Sequence, residues 1–216
     1  MYPDITGVIL SGGKSSRMGF NKSLLKIQGK TIIEYIVELM QNIFSKVILI
    51  TNSPDEYQFL NLEMFEDIYK NYGPLAGIHS GLVNSSTKRN FIISCDVPMM
   101  TEKMIRYLVD YPTDKFITIA RADGYIQQLV GIYNRDIIVT AEDILEKGKL
   151  LEERNSDQQR RGCKVLSLIN KVGAEIINTD SLSFYIPDTY FNMNNTEDFN
   201  IVKEKLEKFL TSKNQN

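Results

Sequence analysis

Three short apolar runs, Ile5 to Leu10, Val47 to Thr51 and Phe91 to Cys95, constrain the fold of this chain more than any other feature. Each is rich in β-branched or aliphatic residues, too short for a buried helix, and closed by turn-forming residues, so each reads as a buried strand. The segments between them carry helical periodicity. Ile32, Ile33, Ile36, Val37, Met40, Ile43 and Phe44 form one amphipathic stripe after Lys30-Thr31. Ser53-Pro54-Asp55-Glu56 supplies an N-cap, a proline at the first helical position and an early acid, which predicts a helix. Helices are also expected from Pro74 to Asn84 and from Thr101 to Val109, with short strands at Glu63–Glu66 and Phe116–Ala120. Strands alternating with helices imply an α/β chain with a mostly parallel sheet covered on both faces.

Beyond Gly124 the pattern weakens. Leu129 to Tyr133 reads as a strand and Ile137 to Leu145 as a helix, and Glu152 to Arg161 is strongly charged and reads as a solvated helix face or a mobile segment. Asn195-Thr196-Glu197-Asp198 caps a final helix whose apolar stripe is Phe199, Val202, Leu206 and Phe209. No repeat or interdomain linker interrupts the chain, so its 216 residues are expected to form one domain over 1–210 with a tail at 211–216.

Charge and composition narrow the function. With 25 Lys and Arg against 27 Asp and Glu, the chain lacks the broad basic face that nucleic acid or an anionic membrane requires. One histidine and two isolated cysteines, Cys95 and Cys163, leave no set of ligands for zinc. Neither an export signal nor an apolar run long enough to span a bilayer is visible, so a soluble, cytoplasmic protein is expected. The near-neutral total conceals a local excess. Between Ile5 and Ile33 the charged residues are Lys14, Arg17, Lys22, Lys26 and Lys30, all basic.

That excess surrounds Leu10-Ser11-Gly12-Gly13-Lys14-Ser15-Ser16-Arg17-Met18-Gly19. Paired glycines after a strand let backbone N–H groups approach anionic oxygens, with Arg17 and Lys22 adding a planar fork and a point charge. The spacing fits neither a Walker A loop nor GxGxxG. A glycine-rich turn with solvated lysines accounts for the same residues by themselves. Asp96 ends the third strand, where a carboxylate can hold Mg²⁺ beside phosphates or simply cap the next helix. Tyr72-Gly73-Pro74-Leu75-Ala76-Gly77 turns into a helix whose free N–H groups could meet a base or phosphate.

In this order, the glycine loop with Lys22, the Gly73–Gly77 turn and Cys95-Asp96-Val97-Pro98 resemble the nucleotidyltransferases related to molybdenum cofactor guanylyltransferase, the MobA type. The family's pattern is LAGG-x-x-x-R-M-G, a downstream Lys, GPLAG, CD-x-P and, near the C-terminus, N-x-N-T-P-E-D, which Asn192-Met193-Asn194-Asn195-Thr196-Glu197-Asp198 is similar to. The resemblance implies a Rossmann-like three-layer α/β/α fold of the nucleotide-diphospho-sugar transferase type. It implies a transferase that couples GMP from GTP to molybdopterin, releases pyrophosphate and uses Mg²⁺. By the same resemblance, Leu10, Ser11, Gly12 and Gly13 would meet guanine and phosphates, and Gly73, Pro74 and Leu75 the nucleotide. Asn52 would contact ribose or base, and Asp67 the nucleotide. Lys22 and Arg17 would neutralise the phosphates, Asp96 would hold the metal, and Asn192 and Asn194 would contact the acceptor pterin or a second metal, or simply form a turn before the last helix. The half up to about residue 110 would bind the nucleotide and the remainder the acceptor. The resemblance leaves room for transient contacts with other cofactor-biosynthesis proteins. A cytidylyl- or sugar-nucleotidyltransferase of the same fold, or a non-catalytic GTP- or pterin-binding protein, remains an alternative.

Overall fold

A computed structural model of the chain describes residues 1–12, 21–152 and 164–213. Strand β1 (Tyr2–Leu10) leads through residues 22–24, a short 3₁₀ turn, and a small hairpin, β2 (Lys26–Ile27) and β3 (Lys30–Thr31), into helix α1 (Ile32–Ile43). Then come β4 (Phe44–Ile50), a 3₁₀ helix (Pro54–Leu60), β5 (Glu63–Phe65), α2 (Pro74–Asn84), β6 (Arg89–Ser94) and α3 (Glu102–Asp110). The remainder is β7 (Ile117–Ala122), β8 (Tyr125–Asn134), α4 (Ile138–Glu152), α5 (Val165–Val172), β9 (Glu175–Asn178) and α6 (Thr196–Lys213).

Among the described residues the main sheet has seven strands in the order β5-β4-β1-β6-β8-β7-β9. β1 pairs in parallel with β4 and β6, and β4 with β5, whereas β8 runs antiparallel to both β6 and β7. The sheet is therefore mostly parallel, as the alternation of elements predicts. The central strands β1, β4 and β6 are apolar over most of their length because they are buried on both faces. Ile9, Leu49, Phe91 and Ile93 join α1, α3 and α6 in one core. Val8, Ile48, Ile50 and Ile92 face the other way, toward α2, α4 and α5. Successive side chains on a strand point to opposite faces, so one continuous run supplies both cores.

Local sequence explains the element ends. Thr31 closes a capping box on α1: its hydroxyl accepts from Glu34 N–H, and the Glu34 carboxylate accepts from Thr31 N–H at 2.6 Å. Phe44 does not extend the α1 stripe as its spacing predicts. The chain leaves the helix there and enters β4 without a loop, and the Phe44 ring stacks on Phe91 at 5.6 Å. The segment after Ser53 also differs from expectation. It forms a 3₁₀ helix rather than an α-helix, with Pro54 at its start, no side-chain cap from Ser53, and Asn61 ending it at φ 52°. A seven-residue segment stopped by a left-handed Asn is too short to establish an α-helical ladder.

α5 and β9 were not anticipated from the sequence. They contain eight and four residues, and β9 gains its regularity by pairing in parallel with β7. The final helix buries Val202 and Leu206 as its pattern predicts, with Phe199 packed against the same core. The side chain of Phe209 and most of the Glu152–Arg161 stretch lie outside the described residues. No helix among the described residues is long and apolar enough to cross a membrane.

Candidate active site

The four parallel strands β5, β4, β1 and β6 end on one side of the sheet, and the chain is aligned there beyond the strands proper. Ser11 N–H donates to Ile50 O at 2.9 Å, Cys95 N–H to Leu10 O at 3.0 Å, and Thr51 N–H to Phe65 O at 2.9 Å. These bonds hold Leu10-Ser11-Gly12, Thr51-Asn52, Asp67 and Cys95-Asp96 along one rim. A cavity of about 800 Å³ opens above it. Carboxyl ends of parallel strands are where open α/β sheets bind ligands, because the connecting loops diverge there.

Most of the residues singled out in the sequence border this cavity: Leu10, Ser11, Gly12, Lys22, Asn52, Asp67, Gly73, Pro74, Asp96 and Asn194. Two are placed elsewhere. Leu75 is fully buried in the α2 core, so its side chain supports the turn and does not reach the cavity. Asn192 is exposed outside the lining, and its carbonyl accepts from Asn194 Nδ2 at 3.1 Å. Gly13, Arg17 and Lys14 lie outside the described residues. The Ser11 backbone N–H, already bonded to Ile50 O, is not free for a phosphate. Gly73 has φ +71°, a left-handed value that suits glycine, and Pro74 begins α2 immediately after it.

Asp96 carries the most informative electrostatics. Its Oδ1 is buried with no hydrogen-bond partner among the described residues. Burial raises its pKa above the ordinary carboxylate value, opposed by a hydrogen bond from Ser94, one from its own backbone and the charge of Lys22. Burial likewise raises Asp67, against a hydrogen bond from Asn52 and the charge of Lys70. Asn52 and Asp67 form a two-way clasp: Asn52 Nδ2 donates to Asp67 Oδ2 at 2.7 Å, and Asp67 N–H donates to Asn52 Oδ1 at 3.1 Å. Burial and the neighbouring Asp96 push the Cys95 thiol up to about 12, which disfavours its thiolate. His79 is buried between helices, with Nε2 3.2 Å from Glu142 Oε1, and takes no part in the cavity.

The C-terminal turn forms a further wall. Met193 N–H donates to Asp96 O at 2.8 Å, and Lys22 Nζ donates to Asn194 O. Asp198 secures the turn by accepting from the N–H groups of Asn194 and Asn195 at 2.6 and 3.0 Å. The cavity also has a wall residue that sequence reasoning missed. Tyr57, 2% exposed, brings its hydroxyl to Ser11, Asn21 and Ser23. No motif or spacing marks this tyrosine in the sequence.

No group of three or more His, Cys, Asp or Glu side chains suited to a metal occurs among the described residues. Asp96 nonetheless fits the way Mg²⁺ commonly binds, through one or two carboxylates with phosphates and water supplying the remainder. Its unpartnered buried oxygen is an available anionic ligand.

Residues 7–160 match the family described as MobA-like NTP transferase domain. The chain is 38% identical over 151 residues to a "Probable molybdenum cofactor guanylyltransferase" from Carboxydothermus hydrogenoformans, covering 69% of this chain and 76% of that one. A protein of the same name from Clostridium perfringens strain 13 is 31% identical over 202 residues, covering 93% of this chain and 97% of that one. Among solved structures, molybdopterin-guanine dinucleotide biosynthesis protein A from Archaeoglobus fulgidus superposes with a TM-score of 0.76 at 19% identity, over 94% of this chain and 99% of that one.

Proposed function

This chain belongs to the MobA-like NTP transferases, and we propose that it transfers GMP from GTP to molybdopterin, forming the guanine dinucleotide cofactor and releasing pyrophosphate. The observation that carries the reading is the unpartnered buried oxygen of Asp96, sharing one cavity with Lys22 and the Ser11–Gly12 turn. The names of the relatives support molybdopterin as the acceptor and guanine as the base. The half of the chain before residue 110 holds the donor nucleotide, and the C-terminal turn presents Asn194 toward the acceptor, with Asn192 bracing that turn.

The acceptor phosphate is a monoester whose second pKa is about 6, so it is already an anion and no general base is required. The obstacle is repulsion between two phosphates, which positioning and cationic side chains relieve. A divalent cation, Mg²⁺ in this proposal, would be held by Asp96 and would supply charge neutralisation at the donor phosphates. Lys22 orients the triphosphate and offsets the charge that develops on the departing pyrophosphate, and Arg17 adds a second cation from the glycine loop. The Asn52–Asp67 clasp lies beside Gly77 and offers both donors and acceptors to the nucleoside.

Pyrophosphate release measured with GTP, CTP, UTP and ATP, with and without molybdopterin, tests the assignment. Release with GTP and only in the presence of molybdopterin is expected. Lys22→Ala and Asp96→Ala in folded protein should each lower the rate by about 10²–10³, the scale of removing one preorganised charge contact. Equal release with CTP, or activity that survives both substitutions, would overturn the reading.

A further inference from the structure

Every polar site on the Tyr57 hydroxyl is occupied, and its partners bracket the residue assigned to the phosphates. Ser11 Oγ donates to it at 2.6 Å and Asn21 Nδ2 at 2.6 Å. A phenol oxygen accepts two hydrogen bonds and donates one. Its own proton therefore goes to Ser23 Oγ, 2.9 Å away. The pattern is self-consistent, because the Ser23 proton is committed to Asn21 Oδ1 at 2.8 Å. Asn21 is further fixed by donating to Glu56 Oε2 at 2.5 Å, and its Oδ1 caps the 3₁₀ turn at Ser23 N–H. Lys22 lies between the two anchored residues. Ser11, the third partner, is held to the sheet by its N–H bond to Ile50 O.

We propose that Tyr57 is a positioning residue of the donor site, whose hydroxyl ties the turn carrying Lys22 to the end of β1. The ammonium group thereby enters the cavity from a fixed backbone, on the same rim as Asp96. This inference rests on the reading of Lys22 as a phosphate ligand. The ring belongs to the hydrophobic core and the hydroxyl lies at the rim, so the two parts of the side chain have separate tasks. Core packing asks for an aromatic ring at this position, which phenylalanine provides. Three polar partners around a single oxygen ask for tyrosine. Their sequence separations of 46, 36 and 34 residues show that the contact assembles parts of the site that are distant along the chain.

A double-mutant cycle of Tyr57→Phe and Lys22→Ala tests this, with GTP and guanosine binding measured by calorimetry on the full chain. Tyr57→Phe should weaken GTP about tenfold and guanosine less than about threefold, the scale of one charge-assisted hydrogen bond lost at the phosphates. In the Lys22→Ala background the same change should alter GTP binding by less than about twofold, because the positioned group is gone. Equal weakening of GTP and guanosine would make Tyr57 a structural residue only, and additive losses would show that it acts independently of Lys22. Either result overturns the proposal, as does an inert Tyr57→Phe beside a weakened Lys22→Ala. Full GTP affinity in Lys22→Ala would instead overturn the underlying donor-site reading. Should Tyr57→Phe lose its near-ultraviolet dichroism, Ser23→Ala, which removes one of the three partners, takes its place in the cycle with the same expectations.

Discussion

Gly77 and Gly81 lie one turn apart on α2, and alanine at each is expected to have opposite consequences. A Cβ at Gly77 would sit 3.4 Å from Leu10 Cδ2 and 3.6 Å from Asp67 Oδ1, ordinary contact distances. Nothing has to move, so the helix gains the alanine preference of about 0.8–1 kcal/mol. For a chain of this size that is a rise in Tm of about 2–4 °C. The methyl group, however, projects from the cavity wall beside Asp67. Intrusion of one carbon into a fitted site costs about 1–3 kcal/mol, so GTP should bind about tenfold more weakly or worse. At Gly81 the Cβ would lie 2.6 Å from Cγ1 of Val8, a fully buried residue of β1. Overpacking there should exceed the helical gain and lower Tm, while the folded protein binds GTP normally because Gly81 is outside the cavity. Scanning calorimetry and GTP titration of both variants measure all four quantities. A fall in Tm for Gly77→Ala would refute the packing account, and undiminished GTP affinity would refute the placement of the nucleoside against this face of α2.

Other expectations concern charge, capping and the sheet. Burial, opposed by Ser94 and Lys22, raises the Asp96 pKa, so the folded protein binds that proton more tightly than the unfolded chain. The destabilisation is absent below the unfolded carboxylate range, grows as pH rises toward the folded value and is complete above it. Asp96→Asn should therefore raise the Tm of nucleotide-free protein at about pH 7 and leave it unchanged at about pH 3, and should abolish any Mg²⁺-dependent stabilisation with GTP. Thr31→Ala opens the α1 capping box and should lose about 1 kcal/mol, read as a fall of about 2–4 °C in Tm. In β8, a Cβ at Gly131 would meet Thr118 O at 2.3 Å. That carbonyl is held between paired strands, so Gly131→Ala should cost more than about 3 kcal/mol, measured by urea unfolding. A loss smaller than that of Thr31→Ala would contradict this account.

The sequence by itself determined the elements whose causes are local. Apolar runs such as Phe91 to Cys95 announced buried strands, the periodic stripe after Lys30-Thr31 announced α1, and Gly73-Pro74 announced α2. The basic glycine loop, Lys22 and Asp96 stood out as candidates by residue type and by the order of motifs that the family resemblance supplies. Tertiary structure decided what depends on distant partners. Phe44 left its helix for a strand because Phe91 was there to stack on, and β9 exists because β7 pairs with it. Leu75 follows the turn motif in sequence, yet its side chain packs into the core. Lys22 reaches Asn194 across 172 residues, and Tyr57 gathers three partners that no spacing connects. Propensity and periodicity act over a few neighbouring residues, whereas a hydroxyl's hydrogen-bond partners are set only when the sheet brings its strand ends together.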